Sequence, residues 1–347
     1  MTRQNDFIHQ RKQDHIQTIL DDPQIERQQS GFDQIQLSHS ALPECDFDAI
    51  NTQTEFLGKP LSFPLLISSM TGGRSANLMK INQTLAEAAE AMQVAMAVGS
   101  QRVMIEDASA EESFKLRHYA PTVPLIANMG AVQLNYGFGR DDALRMVETL
   151  EADALYLHLN PLQEVIQPEG DKNFAGLLDK IRQLAADFPV PIILKEVGCG
   201  LSATDIEKGL QAGINWFDLA GRGGTSWSRI EAHRHGDIKA QELGVLFQDW
   251  GLTTPQALLQ ARPYQDRAHF IASGGIRNGI DMVKSVIMGA QICGIAAPFL
   301  EPAMDSTEAT VAKIQQFTHE FRTAQFLLGA SDRSQLFLND NLILNRQ

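Results

Sequence analysis

The 347-residue sequence predicts an α/β protein, a (β/α)8 TIM barrel with an N-terminal extension. Three observations predict this fold. Short apolar runs recur along the chain, and segments with helical periodicity alternate with them. The turn after the first apolar run, MTGGRSAN, also lacks the GxGxxG spacing that a doubly wound dinucleotide-binding sheet requires at that point.

The predicted strands are eight apolar runs. Their apolar residues are nearly continuous instead of alternating, which is typical of strands that are covered on both faces in a parallel sheet. Eight such strands, alternating with helices, favour a closed barrel. The runs are PLLISS (64–69), VAMAVG (94–99), PLIANMG (124–130), ALYLHL (154–159), PIILKEVG (191–198), WFDLAG (216–221), HFIASG (269–274) and ICGIAA (292–297).

Helical patterns occupy the segments between these runs. One apolar face runs through SANLMKINQTLAEAAEAMQ, and another follows the fourth strand. Residues 1–60 are predicted to form the N-terminal extension and residues 61–347 the barrel, while 222–252 is a long insert of the kind that is usually functional. The two apolar faces consist of Leu78, Ile81, Leu85, Ala88 and Met92, and of Leu177, Ile181, Leu184 and Phe188.

Composition and charge restrict the possible functions. The net charge of −13 disfavours binding to nucleic acid or to anionic membranes, which depends on Lys and Arg side chains. No apolar run approaches the roughly 18 residues that cross a membrane, and the polar N-terminus lacks the apolar core of a signal peptide. Cys45, Cys199 and Cys293 have no CxxC spacing, which argues against structural zinc or a disulfide framework. A cytoplasmic protein is expected.

Two glycine pairs follow the sixth and seventh strands, in GRGGTS (221–226) and SGGIRNG (273–279). Bare backbone amides before a helix bind phosphate, and barrels commonly place such a site after strands seven and eight. Either pair alone could equally be a tight turn that needs positive φ. Because the two strand ends are close together in a closed barrel, the pairs together predict a phosphate site.

Lys195 ends an apolar strand, so its ammonium is expected to reach into the barrel mouth and to need an anion. Glu196 is an awkward partner because adjacent strand residues point to opposite faces. Two roles remain open, a Schiff base with a carbonyl substrate and a cation held against a cofactor anion. The phosphate loops favour the second role.

The stretch HLNPLQE (158–164) is predicted to bind a metal and an anionic ligand. Glu164 offers the hard oxygen that Mg²⁺ accepts, and one carboxylate plus ligand phosphates is the usual arrangement for that ion. His158 and Asn160 share one face of the strand and can both donate to an anion, although a lone strand-end histidine is more often structural.

Further cations could offset the acidic net charge around a diphosphate. Arg11, Lys12 and His15 lie within about one helical turn in QRKQDH, and Arg102 follows the second strand. Taken alone, a charged N-terminus is more often solvated than functional.

These motifs together resemble the type 2 isopentenyl-diphosphate Δ-isomerases, FMN-dependent barrels that interconvert isopentenyl and dimethylallyl diphosphate. The likeness extends over most of the chain, without a departure at the functional positions. It rests on RKxxH (11–15), SMTGG (69–73), SQR (100–102), the asparagine of ANMG at 128, HLNPLQE (158–164), KEVGCG (195–200), GRGGTSW (221–227), Glu231 and SGGIRNG (273–279).

The resemblance implies a role for each of these positions. FMN would be held by Ser69, Met70, Thr71, Ser100, Asn128, Lys195 and Thr225, with Gly275, Ile276, Arg277, Ala296 and Ala297 around its phosphate. The substrate would be held by Arg11, Lys12, Ser100, Arg102, His158, Asn160 and Gln163, and Glu164 would hold the Mg²⁺ that bridges to its diphosphate. NADPH would reduce the flavin, without net redox change in the reaction.

A double-bond shift adds a proton to one carbon and removes one from another, so the reduced flavin is expected to act as the acid–base group. The resemblance implies that His158, Asn160, Gln163 and Glu231 take part in catalysis. It also implies a homo-oligomer, a tetramer or octamer.

Two alternatives remain open at this point. An FMN-dependent oxidoreductase, such as a 2-hydroxy-acid oxidase, would need a strand-end His-Gly-Gly base, where this chain has Arg222 in AGRGGTS. A non-catalytic flavin-binding barrel would bind FMN without any need for the HLNPLQE cluster.

Overall fold

A closed barrel of eight parallel strands forms the centre of the computed structural model, which describes residues 15–70, 72–234 and 237–344. Every predicted strand is present within its predicted range, so the predicted fold is confirmed. Two short strands that the sequence did not predict, β1 (Thr54–Phe56) and β2 (Lys59–Leu61), precede the barrel. The barrel strands are β3 (Leu65–Ile67), β4 (Ala95–Ala97), β5 (Leu125–Gly130), β6 (Ala154–Leu159), β7 (Ile192–Glu196), β8 (Trp216–Asp218), β9 (His269–Ser273) and β10 (Ile292–Ile295).

Strands that are consecutive in sequence are neighbours in the barrel, and β10 closes it by pairing with β3. Both faces of these strands are covered, and β5 is buried at all six positions, which explains the continuous apolar runs. The Cα register places His158 beside Lys195 and Lys195 beside Asp218. A row of polar residues therefore crosses β6, β7 and β8 near their C-terminal ends.

Helices surround the barrel. The described part of α1 comprises residues 15–21. The helices that follow are α2 (Ala76–Met92), α3 (Arg102–Glu106), α4 (Arg140–Leu150), α5 (Pro161–Ile166), α6 (Leu177–Ala185), α7 (Ala203–Gln211), α8 (Trp227–His233), α9 (Ile238–Leu246), α10 (Thr254–Ala261), α11 (Gly279–Ile287), α12 (Leu300–Asp305) and α13 (Thr307–Leu327).

The apolar faces predicted for α2 and α6 are largely the faces that pack on the barrel. Leu78, Ile81 and Leu85 of α2 are buried, and the Ser75 hydroxyl caps this helix by accepting from the Leu78 amide at 3.4 Å. Phe188 is only partly buried, because α6 ends at Ala185 and this side chain packs from the following turn.

The hairpin of β1 and β2 closes the N-terminal end of the barrel. Phe56 and Leu61 are buried and pack against the barrel interior, and the Phe56 ring meets Trp216 edge to face at 5.3 Å. Trp216 is the first residue of β8, which fixes the end of the barrel that the hairpin covers. The side chains inside the barrel that join this cluster are Leu66, Ala95, Ala97, Ile126, Ala154, Tyr156, Ile193, Ile271 and Ile292.

The described residues of the predicted insert, 222–234 and 237–252, are folded. They include α8 and α9, which pack on each other and on α5. The insert thereby brings α8 against the segment that carries Gln163 and Glu164. Within the described ranges, none of the helices is both long and apolar enough to span a membrane.

Candidate active site

A cavity of about 240 Å³ opens at the C-terminal ends of the barrel strands. Loops that follow all eight strands line it, together with α1 and Glu26. Ligand sites of this fold form at this end of the barrel. The predicted site residues that the cavity brings together are Ser69, Met70, Ser100, Arg102, Asn128, His158, Asn160, Gln163, Glu164, Lys195, Thr225, Gly275, Ile276, Arg277, Ala296 and Ala297.

The other predicted site residues lie elsewhere. Glu231 is fully buried and touches Gln163 from behind the cavity wall. Arg11, Lys12 and Thr71 fall outside the described residues. His15, which follows the two N-terminal cations, does line the cavity.

A hydrogen-bonded row connects His158 to β5 and β3. Asn128 donates from Nδ2 to the Val98 carbonyl at 3.0 Å and to the Ser69 hydroxyl at 2.9 Å. Because a carbonyl can only accept, this contact orients the Asn128 amide and turns its Oδ1 towards His158. The distance from that Oδ1 to His158 Nδ1 is 2.7 Å, so Nδ1 carries a hydrogen.

Asn160, Gln163 and Glu164 form a second cluster at the start of α5. Asn160 donates from Nδ2 to Glu164 Oε1 at 2.8 Å and to Gln163 Oε1 at 3.1 Å. The second Glu164 oxygen accepts from the backbone amide of Asp171 at 2.6 Å. Among the described residues, buried Asn160 Oδ1 has no hydrogen-bond partner. Buried polar atoms are normally paired, so this oxygen marks a place where a ligand donor fits.

A buried ionic network supports Gln163. The Gln163 amide donates to Glu231 Oε1 at 2.8 Å, and His15 Nε2 lies 3.1 Å from the same oxygen. Arg234 donates to Glu231 Oε2 at 2.7 Å. Burial alone would raise the pKa of Glu231, but the neighbouring His15 ring, the Gln163 amide and the charge of Arg234 lower it to about 2. Glu231 is therefore ionised at neutral pH.

Asp218 is the counterion of Lys195, and the sequence did not identify it. Lys195 Nζ donates to Asp218 Oδ2 at 2.7 Å, and the Tyr156 hydroxyl donates to the same oxygen at 2.8 Å. Asp218 is fully buried. The pairing follows from the register of β7 and β8, which places the two residues side by side. Lys195 also lines the cavity, so its charge still faces a ligand there.

Glu196 points away from Lys195, as the alternation of strand residues predicted. Its Oε2 accepts from backbone amides of the following turn, including those of Val197 and Gly198, both at 2.7 Å. Burial raises the pKa of Glu196 to about 7, although these backbone donors oppose the shift. The Glu196 carboxyl therefore holds the KEVGCG turn in place, while Lys195 forms its ion pair with Asp218.

The glycine loops form a narrow turn in the cavity wall. Gly275 has a φ of +76°, and a Cβ added there would lie 2.6 Å from Ser30 Cβ and 2.8 Å from the Gly223 carbonyl carbon. α11 begins four positions later, with the Asn278 side chain accepting from the Asp281 amide at 2.9 Å. Only glycine allows these two loops to approach so closely beside a helix N-terminus.

Arg102 is already ion-paired. It contacts Glu106 at 2.6 Å and Asp171 at 2.7 Å. Burial opposes its charged form, yet these two carboxylates raise the pKa of Arg102 above its ordinary value. The cation is thus held at the cavity by acidic neighbours that the sequence did not single out.

Comparisons with known proteins identify the family of this chain. The family model described as FMN-dependent dehydrogenase matches residues 8–126 and 146–343. The isopentenyl-diphosphate delta-isomerase of Hydrogenovibrio crunogenus is 72% identical over 337 residues, which are 97% of this chain and 98% of that protein. The enzyme of the same name from Paracoccus zeaxanthinifaciens is 59% identical, with 96% of each chain covered.

Solved structures support the fold alone. A lactate oxidase of Pediococcus acidilactici superimposes with a TM-score of 0.69 at 14% identity, covering 93% of this chain and 86% of that one. A pyruvate-bound flavocytochrome b2 mutant gives 0.65 at 18% identity, covering 92% and 78%. From the family match and the two close relatives, the chain belongs to the FMN-dependent dehydrogenase family and, within it, to the type 2 isopentenyl-diphosphate delta-isomerases.

Proposed function

We propose that this enzyme interconverts isopentenyl diphosphate and dimethylallyl diphosphate in isoprenoid biosynthesis, with FMN and the substrate together in the cavity. One observation carries the proposal. The polar cluster of His158, Asn160 and Glu164 faces the same cavity as Lys195 and the glycine loops. A protein that only bound flavin would not need His158, Asn160 and Glu164 together.

The residues present fit FMN. The loops at Gly224 and Gly275 leave no room for a Cβ, as expected where backbone amides approach a phosphate closely. Thr225 and Arg277 add a hydroxyl and a guanidinium at this end of the cavity. Lys195 would stabilise negative charge on the reduced ring system. When bound and reduced by NADPH, FMN would supply the acid–base chemistry of the reaction.

The residues present also fit a single magnesium ion. Within the described ranges, no group of three or more His, Cys, Asp or Glu side chains could hold a metal. Glu164 would supply a carboxylate oxygen to the ion, and the substrate diphosphate would supply further oxygen ligands. The hydrogen bonds that Glu164 accepts from Asn160 Nδ2 at 2.8 Å and from the Asp171 amide at 2.6 Å hold its carboxylate in place beside the cavity.

The side chains around the substrate would bind and orient it. His158 and Gln163 would contact the diphosphate, and Asn160 would fix the amide of Gln163 through the 3.1 Å hydrogen bond. Glu231 holds the other end of that amide. Because Glu231 is ionised at neutral pH, it would act through Gln163 as a hydrogen-bond acceptor and not as a proton donor. Ile16, Ile19 and Trp227 would cover the hydrocarbon tail.

The oxidoreductase alternative lacks support at its decisive position. A 2-hydroxy-acid oxidase would need a histidine where this chain has Arg222. Arg222 donates to the Gly251 carbonyl at 3.1 Å, so its side chain is engaged with the insert and does not stand in for that base.

A homo-oligomer, either tetramer or octamer, is part of the proposal, as is a cytoplasmic location. The support for assembly is that the insert exposes several large apolar side chains: Ile238 and Leu246 are 70% and 76% exposed, and Trp250 is 62% exposed. Exposed apolar side chains that form a contiguous surface mark protein contacts in many soluble proteins.

Product analysis tests the proposed reaction. The full chain is incubated with isopentenyl diphosphate, FMN, Mg²⁺ and NADPH, and the allylic isomer is quantified. Dimethylallyl diphosphate is expected to accumulate to a fixed equilibrium ratio, and the same ratio is expected from the reverse direction. A protein that binds FMN yet leaves both compounds unchanged would contradict the proposal.

A further inference from the structure

Glu26 lies in the cavity beside the residues proposed to hold the flavin phosphate. Its Oε1 accepts a hydrogen bond from the Thr225 hydroxyl, and its Oε2 forms an ion pair with the Arg277 guanidinium. A single carboxylate thus engages two groups that a phosphate would use. The proposed reaction gives Glu26 no other role.

A strap, residues 22–30, brings Glu26 to this position. The Arg27 amide donates to the Gly224 carbonyl at 3.0 Å, and the Ser226 amide donates to the Ile25 carbonyl at 2.9 Å. Glu26 and Thr225 form an antiparallel bridge. Ile25 is fully buried, which anchors the strap. Backbone pairing therefore delivers this carboxylate to the glycine loop.

Charge makes the carboxylate and a phosphate competitors. Both anions prefer the guanidinium of Arg277, and a phosphate monoester carries close to two negative charges at neutral pH. The Arg277 amide is already bound to a third anion, the Asp281 carboxylate, at 3.1 Å. Adding a phosphate beside Glu26 would gather like charges around one cation.

We propose that Glu26 competes with the flavin phosphate for Thr225 and Arg277. The Glu26 carboxylate has to leave these two residues before the cofactor binds at the glycine loops. This inference rests on the cofactor position in the proposed function. The strap follows α1, which brings His15 to the same cavity. Displacement of Glu26 would therefore couple cofactor binding to the segment before α1, in which Arg11 and Lys12 are proposed to bind the substrate.

Flavin titrations test this inference. Dissociation constants for FMN and for riboflavin, which lacks the phosphate, are measured by flavin fluorescence on the full chain freed of flavin. Glu26→Gln is expected to bind FMN about tenfold more tightly than the unmodified protein and to bind riboflavin equally. Glu26→Asp, whose shorter side chain withdraws the carboxylate, is expected to shift FMN binding in the same direction if the first variant does not fold.

The matched control is Asp21→Asn, which removes one negative charge from an exposed position near the strap. It is expected to leave both constants unchanged. Unchanged or weaker FMN binding in the Glu26 variants would overturn the inference, and so would an equal gain for riboflavin. An unmodified protein that binds FMN and riboflavin equally would instead contradict the proposed phosphate position, and the inference with it.

Discussion

At its N-terminal end the barrel is closed by an apolar hairpin, whereas at its C-terminal end the same strands surround a polar cavity. Phe56 and Leu61 pack on side chains inside the barrel at the closed end. At the open end, Asp218 and Glu231 are fully buried carboxylates. The closed end removes apolar area from water, which stabilises the fold. The open end buries charged groups, and their desolvation lowers stability unless each charge is paired. These groups lie where a ligand has to be bound.

Substitutions at the two ends of the barrel are expected to have different effects on stability and turnover. Changes at the closed end are expected to lower the free energy of unfolding and leave turnover in the folded protein intact. Changes at the open end are expected to lower turnover, and to lower the free energy of unfolding as well where a buried carboxylate loses its charge or its hydrogen bonds.

Loss of Glu164 is expected to have the largest effect. Glu164→Gln keeps the size of the side chain but removes the proposed magnesium carboxylate, so kcat/KM for isopentenyl diphosphate should fall about a thousandfold, or about 4 kcal/mol. FMN binding should change little, and the replacement of one acceptor oxygen by an NH2 group should lower the free energy of unfolding by about 1 kcal/mol. Turnover is measured over a range of Mg²⁺ concentrations.

Glu148→Gln, an exposed carboxylate on α4, is the control and should behave like the unmodified protein. If Glu164→Gln retained full turnover at every Mg²⁺ concentration, the open end would lack its proposed metal site.

At the closed end, Phe56→Ala is expected to lower the free energy of unfolding by about 3 kcal/mol. The substitution leaves a void between Trp216 and the barrel interior. Denaturant unfolding measures the loss, and kcat and KM at a temperature where the variant is folded should match the unmodified protein. A fall in kcat without a loss of stability would contradict the claim that the closed end contributes to stability and not to turnover.

Glu231→Gln is expected to lower stability by about 2 kcal/mol at pH 7. The folded pKa of Glu231 is about 2, below its ordinary 4.5, so its contribution is complete above pH 4.5 and is lost as pH falls towards 2. The stability difference between the variant and the unmodified protein should therefore shrink on acidification. Unfolding curves at pH 7, 5 and 4 measure it, and a difference that grew with falling pH would contradict the ionised state of Glu231.

The smallest effect is expected for Lys59→Met. Lys59 of the hairpin pairs with Asp153 at 2.6 Å, and both side chains are partly exposed. Such pairs contribute about 0.5 kcal/mol. Denaturant unfolding should show a loss of that size, and a loss comparable to that of Phe56→Ala would mean that charge, rather than apolar packing, holds the hairpin in place.

The sequence predicted the barrel because strands buried on both faces leave a local signal. It did not predict the hairpin, because TEFLGKPL is short and only Phe56 and Leu61 of it are buried strand residues. These two side chains matter through contacts with remote strands, and no local periodicity reports such contacts.

The candidate site shows the same limit. Motif residues such as His158 and Lys195 could be named because strand ends are recognisable. Asp218 could not be assigned to Lys195 without the register of two neighbouring strands. Glu26 meets Thr225 across 199 positions, and nothing in the polar segment around Glu26 distinguishes it from a solvated carboxylate.

Electron stoichiometry tests the central claim most directly, because a double-bond shift consumes no electrons whereas an oxidoreductase on the same barrel consumes them at every turnover. NADPH oxidation and dimethylallyl diphosphate formation are measured together in anaerobic reactions with the full chain, FMN and Mg²⁺. The proposed function predicts that NADPH is used only to reduce the bound flavin, while product forms in large excess over it. One NADPH oxidised for each product molecule would contradict it.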